Sequence, residues 1–524
     1  MKNFSVSRIM IALGAALLVL AGVPTSPAGA QLVPPEVVDE IHESQAEHVD
    51  QAELVALVAA GRSDEAFTEA FELGDELFEV TFNILDGVGA NVGQGQRFSR
   101  VPRADLTAAG EWANHFPERA TGPNGQACNQ CHSVPFDDGA GHANSNVHRD
   151  PLHSADMGSF IQRNTPHLFA PGALQRLAEE MTEELHERRD RAADRACRFR
   201  SPIRTSLYAK GVSFGRITVR PFGSPCRTRI DTRELRGIDD DLVIKPFQWK
   251  GSDLTLRIFN RGASHNELGM QPVELVGEGV DGDFDGVTDE LTIGDQTALA
   301  IYIAAQPRPT TKQELAALGL IPPLSAEEDA AIDRGRIRFR QIGCTSCHRS
   351  NLRLDDPIFS EPSQNPNYRE ETFPAGQDPV AEGVDPDFPV TFDLTLDQPD
   401  NIIELGNGSI FRLGSLRVDD AGRGVVELYG DLRRHDLGPG LAEAIDEVGT
   451  GASVFMTKEL WGVGSTAPYL HDGRATTLGE AIQLHGGDAA WSRARFRRLS
   501  SAQQRDVVAF LDNLVLFKIE EEEE

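Results

Sequence analysis

Two stretches of the chain, Cys128-Asn129-Gln130-Cys131-His132 and Cys344-Thr345-Ser346-Cys347-His348, carry the same spacing, C-x-x-C-H. No other feature constrains the fold as much. Two thiols at that separation add to the two vinyl groups of a haem, and the adjacent imidazole becomes an axial ligand of its iron. A zinc site would need no His directly after both pairs, and a thioredoxin-like redox pair would need no second copy. The motifs therefore predict two covalently attached c-type haems. Cys128, Cys131, Cys344 and Cys347 are the attachment points, and His132 and His348 the proximal iron ligands.

The chain around these motifs reads as an exported protein. Lys2 and Arg8 are the only charges in the first 30 residues, followed by an apolar run from Ile9 to Val23 and a small-residue site at Ala28-Gly29-Ala30. Basic start, apolar middle and A-x-A-like end predict a signal peptide cleaved near Ala30/Gln31 and a periplasmic location. No later stretch is long and apolar enough to predict a stable membrane span. Fifty Lys and Arg stand against 81 Asp and Glu, a net charge of −31. So acidic a chain excludes nucleic acid as a partner and favours a basic protein partner, or a neutral one with a basic patch. The remaining cysteines, Cys197 and Cys226, are expected to close a disulfide loop, with two buried free thiols as the alternative.

The pattern along the chain predicts helices over 67–83, 174–198, 296–306, 326–340 and 501–517, and short strands over 210–245. Residues 351–400, rich in Pro and Asp, are expected to wrap the surface. Two segments after the first motif recur after the second. Thr165-Pro-His-Leu-Phe-Ala-Pro-Gly172 matches Thr457-Lys-Glu-Leu-Trp-Gly-Val-Gly464, and Phe247-Gln-Trp-Lys-Gly-x4-Leu256 matches Tyr469-Leu-His-Asp-Gly-x4-Leu478. Two copies make a duplication and not a solenoid. The expected fold is mainly α: two cytochrome-like haem domains with a loop- and strand-containing insertion. The divisions are 1–30 (signal peptide), 31–170 (first haem domain), 171–310 (insert), 311–517 (second haem domain) and 518–524 (acidic tail).

Tyr469-Leu-His-Asp-Gly through Ile482, ending His485-Gly-Gly, resembles the C-terminal signature of the bacterial di-haem cytochrome c peroxidase superfamily. His435-Asp-Leu-Gly-Pro-Gly-Leu-Ala442 and Leu460-Trp-Gly-Val-Gly464 are similar to its di-haem oxidoreductase, thiol oxidoreductase-like branch. The resemblance implies two class I cytochrome c-like domains facing each other, one haem relaying electrons and the other meeting the oxidant. It places the sixth ligand of the second haem 14 residues beyond His471, at His485, where family members often have Met or Tyr. It implies that Trp249 lies between the haems. It also implies that Glu267 is the distal acid over the first, with His265 as acid or sixth ligand. His142, His148, His153 and His167 are further candidates for that ligand.

Asp281, Asp283, Asp285 and Asp289 match the oxygen positions of an EF-hand loop, with Gly286 at its turn, but Thr292 stands where the bidentate Glu belongs. Calcium and an acidic surface turn are both open readings. The expected function is a peroxidase-like di-haem oxidoreductase. It would draw electrons from a small donor protein or a quinol-linked chain and deliver them to peroxide or another small oxidant. The alternative is a non-enzymatic electron-transfer cytochrome, and a third reading makes the strand-rich insert, 171–290, a platform that docks a partner protein.

Overall fold

The computed structural model describes residues 47–83, 85–88, 124–142, 145–149, 160–282, 286–404 and 408–518. The signal peptide, residues 31–46, His153, Asp283, Asp285 and residues 519–524 lie outside these. Among the described residues, no helix is long and apolar enough to cross a membrane. The helices are α1 Gln51–Ala59, α2 Ser63–Glu79, α3 Pro171–Phe199, α4 Leu256–Ala263, α5 Val273–Val276 and α6 Ile293–Ala305. Then follow α7 Lys312–Leu318, α8 Ala326–Gln341, α9 Leu478–Leu484, α10 Ala490–Arg498 and α11 Ser501–Asp512. The secondary structure is mixed, 36% helix and 17% strand, and not mainly α as expected. The excess over expectation comes from strand pairs of two to four residues within 310–515, held by tertiary neighbours and not by their own sequence. Residues 351–400 also do more than wrap the surface, since Phe359, Tyr368 and Phe392 are buried in the main core.

Helix starts follow local chemistry. Ser325 with Glu328, Thr292 with Asp295, and Ser500 with Gln503 form reciprocal capping boxes at α8, α6 and α11, each satisfying backbone N–H groups that the first turn leaves open. Every residue of α6 is buried, which its apolar run Ala298–Ala305 permits.

The same crossing occurs twice. Helix α2 packs on α6, and α8 on α11. At each crossing a glycine lets the backbones meet. A methyl on Gly74 would overlap the Ala298 carbonyl and lie 2.7 Å from Tyr302 Cβ; on Gly335 it would overlap the Asp506 carbonyl, with its carbon 2.7 Å away. One turn beyond each glycine stands a Phe. Phe78 lies 6.0 Å from the His132 ring, and Phe339 lies 6.3 Å from the His348 ring. Gly74-x3-Phe78 and Gly335-x3-Phe339 are thus one unit, used once for each C-x-x-C-H motif.

Between the two helices of the first crossing the chain makes α3 and an antiparallel meander, β1 Ile203–Ala209, β2 Val212–Phe222 and β3 Arg227–Leu235. Alternation along β2 sends Val212, Phe214, Ile217 and Val219 inward, onto the core that also holds Leu177, Met181 and Leu185 of α3. Cys197, near the end of α3, is bonded to Cys226 in the β2–β3 turn, which settles their pairing as a disulfide.

Candidate haem sites

Each proximal histidine is held by its backbone. His132 Nδ1 donates to Gly139 O at 3.2 Å, and His348 Nδ1 donates to Tyr429 O at 3.0 Å. This fixes the tautomer that leaves Nε2 as the ligating atom, as metal-bound imidazoles require. Burial pushes the pKa of both rings down to about 4, so both are neutral and ready to donate a lone pair.

His485 stands opposite His348. It follows α9, and its Nδ1 donates to Ala481 O at 2.8 Å. The two ring centroids are 6.5 Å apart. Two metal–imidazole bonds of about 2 Å each, plus a ring half-width on either side, fill that span. The cavity around the pair is lined by Cys344, Cys347, Trp461, Tyr469, Leu478 and Ile482, among others. Its apolar walls and two facing imidazoles fit a haem with both axial positions taken.

The N-terminal cavity differs. It is lined by Cys128, Cys131, His132, Phe78, Leu174 and Leu256 on one part of its wall, and by His265, Asn266 and Glu267 on another. These last three lie on a π-helical turn, Ser264–Leu268, that continues α4; such wide turns collect at functional sites. The duplication explains the contrast. Thr255 caps α4 and Thr477 caps α9, and seven residues beyond Leu478 comes His485. Seven beyond Leu256 comes Ala263, which has no ligating atom. Glu267 accepts a hydrogen bond from Asn124 Nδ2 at 2.6 Å, and burial pushes its pKa up to about 7. His265 is buried, with Nδ1 donating to Met270 O at 3.0 Å.

Three other histidines are placed by the structure. His167 is used up at both nitrogens, Nε2 donating to Trp461 O at 3.1 Å and Nδ1 accepting from Phe169 N–H at 3.1 Å, so it is no iron ligand. His148 pairs with Gln162 on the short hairpin of 147–149 and 161–163, and His142 is exposed. Neither lines the cavity. His435 contacts Asp431 at 3.0 Å and Cys347 Sγ at 3.7 Å. The Cys347–Asp431–His435 grouping has metal-ligand spacing, but the thioether that the C-x-x-C-H motif predicts at Cys347 would remove its thiolate.

Trp249 lines both cavities, as do Asn164, His167, Lys458 and Glu459. Its Nε1 donates to Asn164 O at 2.8 Å, and the Lys458 ammonium stands 5.7 Å from its ring centre. Its ring meets that of His471 at 6.5 Å, and His471 in turn stacks on Phe455 at 4.3 Å. Trp249 and His471 hold the same place in the duplicated segments. Both loops close with a single antiparallel bridge, Phe247 to Asp253 and Tyr469 to Ala475. The contact between them is reciprocal: Asn164 N–H donates to His471 O at 2.7 Å, and Met456 N–H donates to Trp249 O at 2.9 Å. Gly172 and Gly464 likewise each abut the last turn of a helix, at Ala304 O and Asp512 O. A buried ionic cluster flanks the junction. Lys250 reaches Glu443 at 3.3 Å and Asp446 at 3.4 Å, while Arg163 pairs with Glu443 and with Glu447 at 2.7 Å. Sequence reasoning missed this cluster because its members lie some 200–280 residues apart.

In the acidic loop, Asp281 accepts from Gly286 N–H at 3.1 Å and Asp289 from Gly279 N–H at 2.6 Å. Thr292 caps α6, and Glu290 turns inward to the Gln271 N–H at 2.7 Å. The described carboxylates thus close the loop on itself.

Comparison with known proteins adds a family. No curated protein matches the chain. Among solved structures, hydrazine synthase of Kuenenia stuttgartiensis aligns at 16% identity over 48% of this chain and 71% of that one, TM-score 0.22. A MauG-like protein associated with microbial copper homeostasis aligns at 16% identity over 55% and 74%, TM-score 0.26. Residues 418–514, which contain His435, His471 and His485, match the family described as "Di-haem oxidoreductase, putative peroxidase". Over that segment the chain is similar to the di-haem oxidoreductase family.

Proposed function

We propose that the protein is a periplasmic, peroxidase-like di-haem oxidoreductase built from two cytochrome c-like halves, 31–170 and 311–517. His348 and His485 would together hold the C-terminal haem, and His132 would hold the N-terminal one. The observation that carries this is the asymmetry of the duplication: His485 faces His348 across 6.5 Å, while Ala263 holds the equivalent place in the other half. When bound, the two haems supply electron storage and an iron at which a small oxidant is reduced.

The chain's own residues supply the rest. His348 and His485, each fixed through its Nδ1 bond, would hold the C-terminal haem rigidly, which suits electron relay, and two imidazoles would give it a lower potential than His with Met. Trp249 and His471 fill the gap between the cavities with touching rings. Lys458 beside Trp249 disfavours a positive charge on that indole, so the junction passes electrons without storing a hole. In the N-terminal cavity Glu267, with its pKa about 7, holds or takes a proton near neutrality, as reduction of a peroxide requires. Asn124 orients it. A calcium ion bound by Asp281, Asp283, Asp285 and Asp289 remains part of this proposal.

The test is low-temperature electron paramagnetic resonance of the oxidised and half-reduced holoprotein. A high-spin ferric signal lost on adding peroxide supports the reading. Two low-spin signals in both states, with His265 closing the N-terminal iron, would make the protein an electron carrier.

A further inference from the structure

The net charge of the chain conceals a reversal. Between positions 195 and 236 there are eleven Arg and Lys against two Asp and Glu, in a molecule whose total is −31. This segment covers the end of α3 and the whole β1–β3 meander. The meander buries one face on the core and turns the other to solvent, and the arginines are on the solvent side. Arg216 and Arg220 alternate outward along β2, and Arg227 and Arg229 along β3. Arg220 stands directly opposite Arg229 in the ladder. Like charges so placed cost stability, and among the described residues no carboxylate comes within ion-pair reach of either.

The two ends of this face differ. At the far end, Phe222 and Phe199 are 50% and 61% exposed beside the Cys197–Cys226 disulfide. The near end is rooted against the second haem motif. Arg349, next to His348, donates to Gly211 O at 2.9 Å, and Arg433 donates to Ser213 O at 3.1 Å. Just past β3, Arg236 opens onto a polar groove that it shares with Arg433, Arg434, Ser346 and Cys347 and with three carboxylates, Asp239, Asp436 and Asp488, of which Asp239 is paired with Arg434. The basic face therefore runs, over a strand length of about 30 Å, to the edge of the C-terminal haem site. That is the length of one partner's footprint in an ordinary protein interface.

We propose that this face docks an acidic electron-carrier protein, which delivers one electron at the Cys347 edge of the C-terminal site. The donor is oxidised by one electron, the C-terminal haem is reduced by one, no bond forms and no proton moves. The donor's redox character rests on reading that site as the point of electron entry; the docking itself does not. A partner chosen by total charge would be basic. The local face selects the opposite sign, and the acidic remainder of the molecule turns any other approach of such a partner away. A lipid surface would meet only the phenylalanine end, not the groove at Cys347.

The experiment uses the holoprotein and three probes: an acidic soluble monohaem cytochrome c, a basic one of similar size, and phosphatidylglycerol vesicles. Binding is measured by calorimetry at several salt concentrations, and electron transfer from each ferrous cytochrome by stopped flow. The acidic cytochrome is expected to bind the wild type more tightly than the basic one, more weakly as salt rises. The triple variant R216E/R220E/R229E is expected to lose at least tenfold in affinity, with haem absorbance and reduction by hydroquinone unchanged. The double variant R220Q/R229Q relieves the like-charge pair and serves if the triple variant misfolds; it should lose several-fold. Equal binding by wild type and variants overturns the proposal, as does preference for the basic cytochrome. Vesicle binding that the variants abolish, without cytochrome binding, would assign the face to anionic lipid and overturn it too. Should both irons prove closed to peroxide while the acidic cytochrome still binds, the proposed reaction falls and the docking face stands.

Discussion

The α8–α11 crossing offers a direct test of how the haem sites are held. Replacing Gly335 by Ala puts a methyl into the Asp506 carbonyl. The obstacle is backbone, so no side chain can rotate away and the helices must part. Overpacking of this kind costs about 1–3 kcal/mol, and a clash with main chain belongs at the upper end. Ala gains about 1 kcal/mol over Gly in helix propensity, leaving a net loss of about 2 kcal/mol. For a unit of about 200 residues that lowers Tm by roughly 4–8 °C. Because Phe339 and His348 ride on the same crossing, the low-spin spectrum of the C-terminal haem should broaden as well. The control is Gly479→Ala on α9, where an added methyl meets nothing within 4 Å; there Tm should hold or rise slightly. Calorimetry and visible spectra of both holoproteins check this. A G335A protein that melts at the wild-type temperature with an unaltered spectrum would refute the crossing as the element that positions the site.

Three other outcomes are expected. Glu267 has a raised pKa of about 7, so its carboxylate, the form that takes a proton, accumulates as pH rises through 7; peroxide reduction should rise over that range, and E267Q should flatten the profile and slow it about 100-fold or more. H485M should raise the potential of the C-terminal haem, since Met favours ferrous iron, which a spectroelectrochemical titration reads directly. Removing the disulfide with C197S/C226S opens a loop of 29 residues and should cost roughly 3–4 kcal/mol, seen in a thermal melt of the oxidised protein, with the haem spectra unchanged.

What was legible in the chain was what is local in it. Haem attachment needs five consecutive residues, and a capping box needs four, so the motifs and the start of α8 stood in plain view. His485 was singled out by the family resemblance, which places a ligand 14 residues beyond His471; that it faces His348 is a long-range contact that no local pattern shows. The strand pairs of the C-terminal half were not legible, since Leu354 finds Gly424 seventy residues away and neither flank shows the alternation of a free-standing strand. The same holds for Asn124, which reaches Glu267 across 143 positions. The basic meander is a different failure. Its charge was local and countable, but a chain-wide total averaged it away. The unit Gly-x3-Phe was also visible twice, yet it sits nine residues before one motif and 54 before the other, too unequal to register as a repeat.

The junction at Trp249 and His471 has the form of a symmetric dimer contact. Equivalent positions of the two copies touch each other, and each copy donates the same backbone hydrogen bond to the other. In an assembly of identical chains, a two-fold axis brings a residue on it against its own counterpart. Such a dimer of single-haem subunits would be bound by its symmetry to have two identical irons. Joined in one polypeptide, the copies are released from that constraint. One could keep an indole and the other take an imidazole at the axis, and one could acquire His485 while the other kept Ala263. The division of labour between the two halves is what fusion permits and a homodimer forbids.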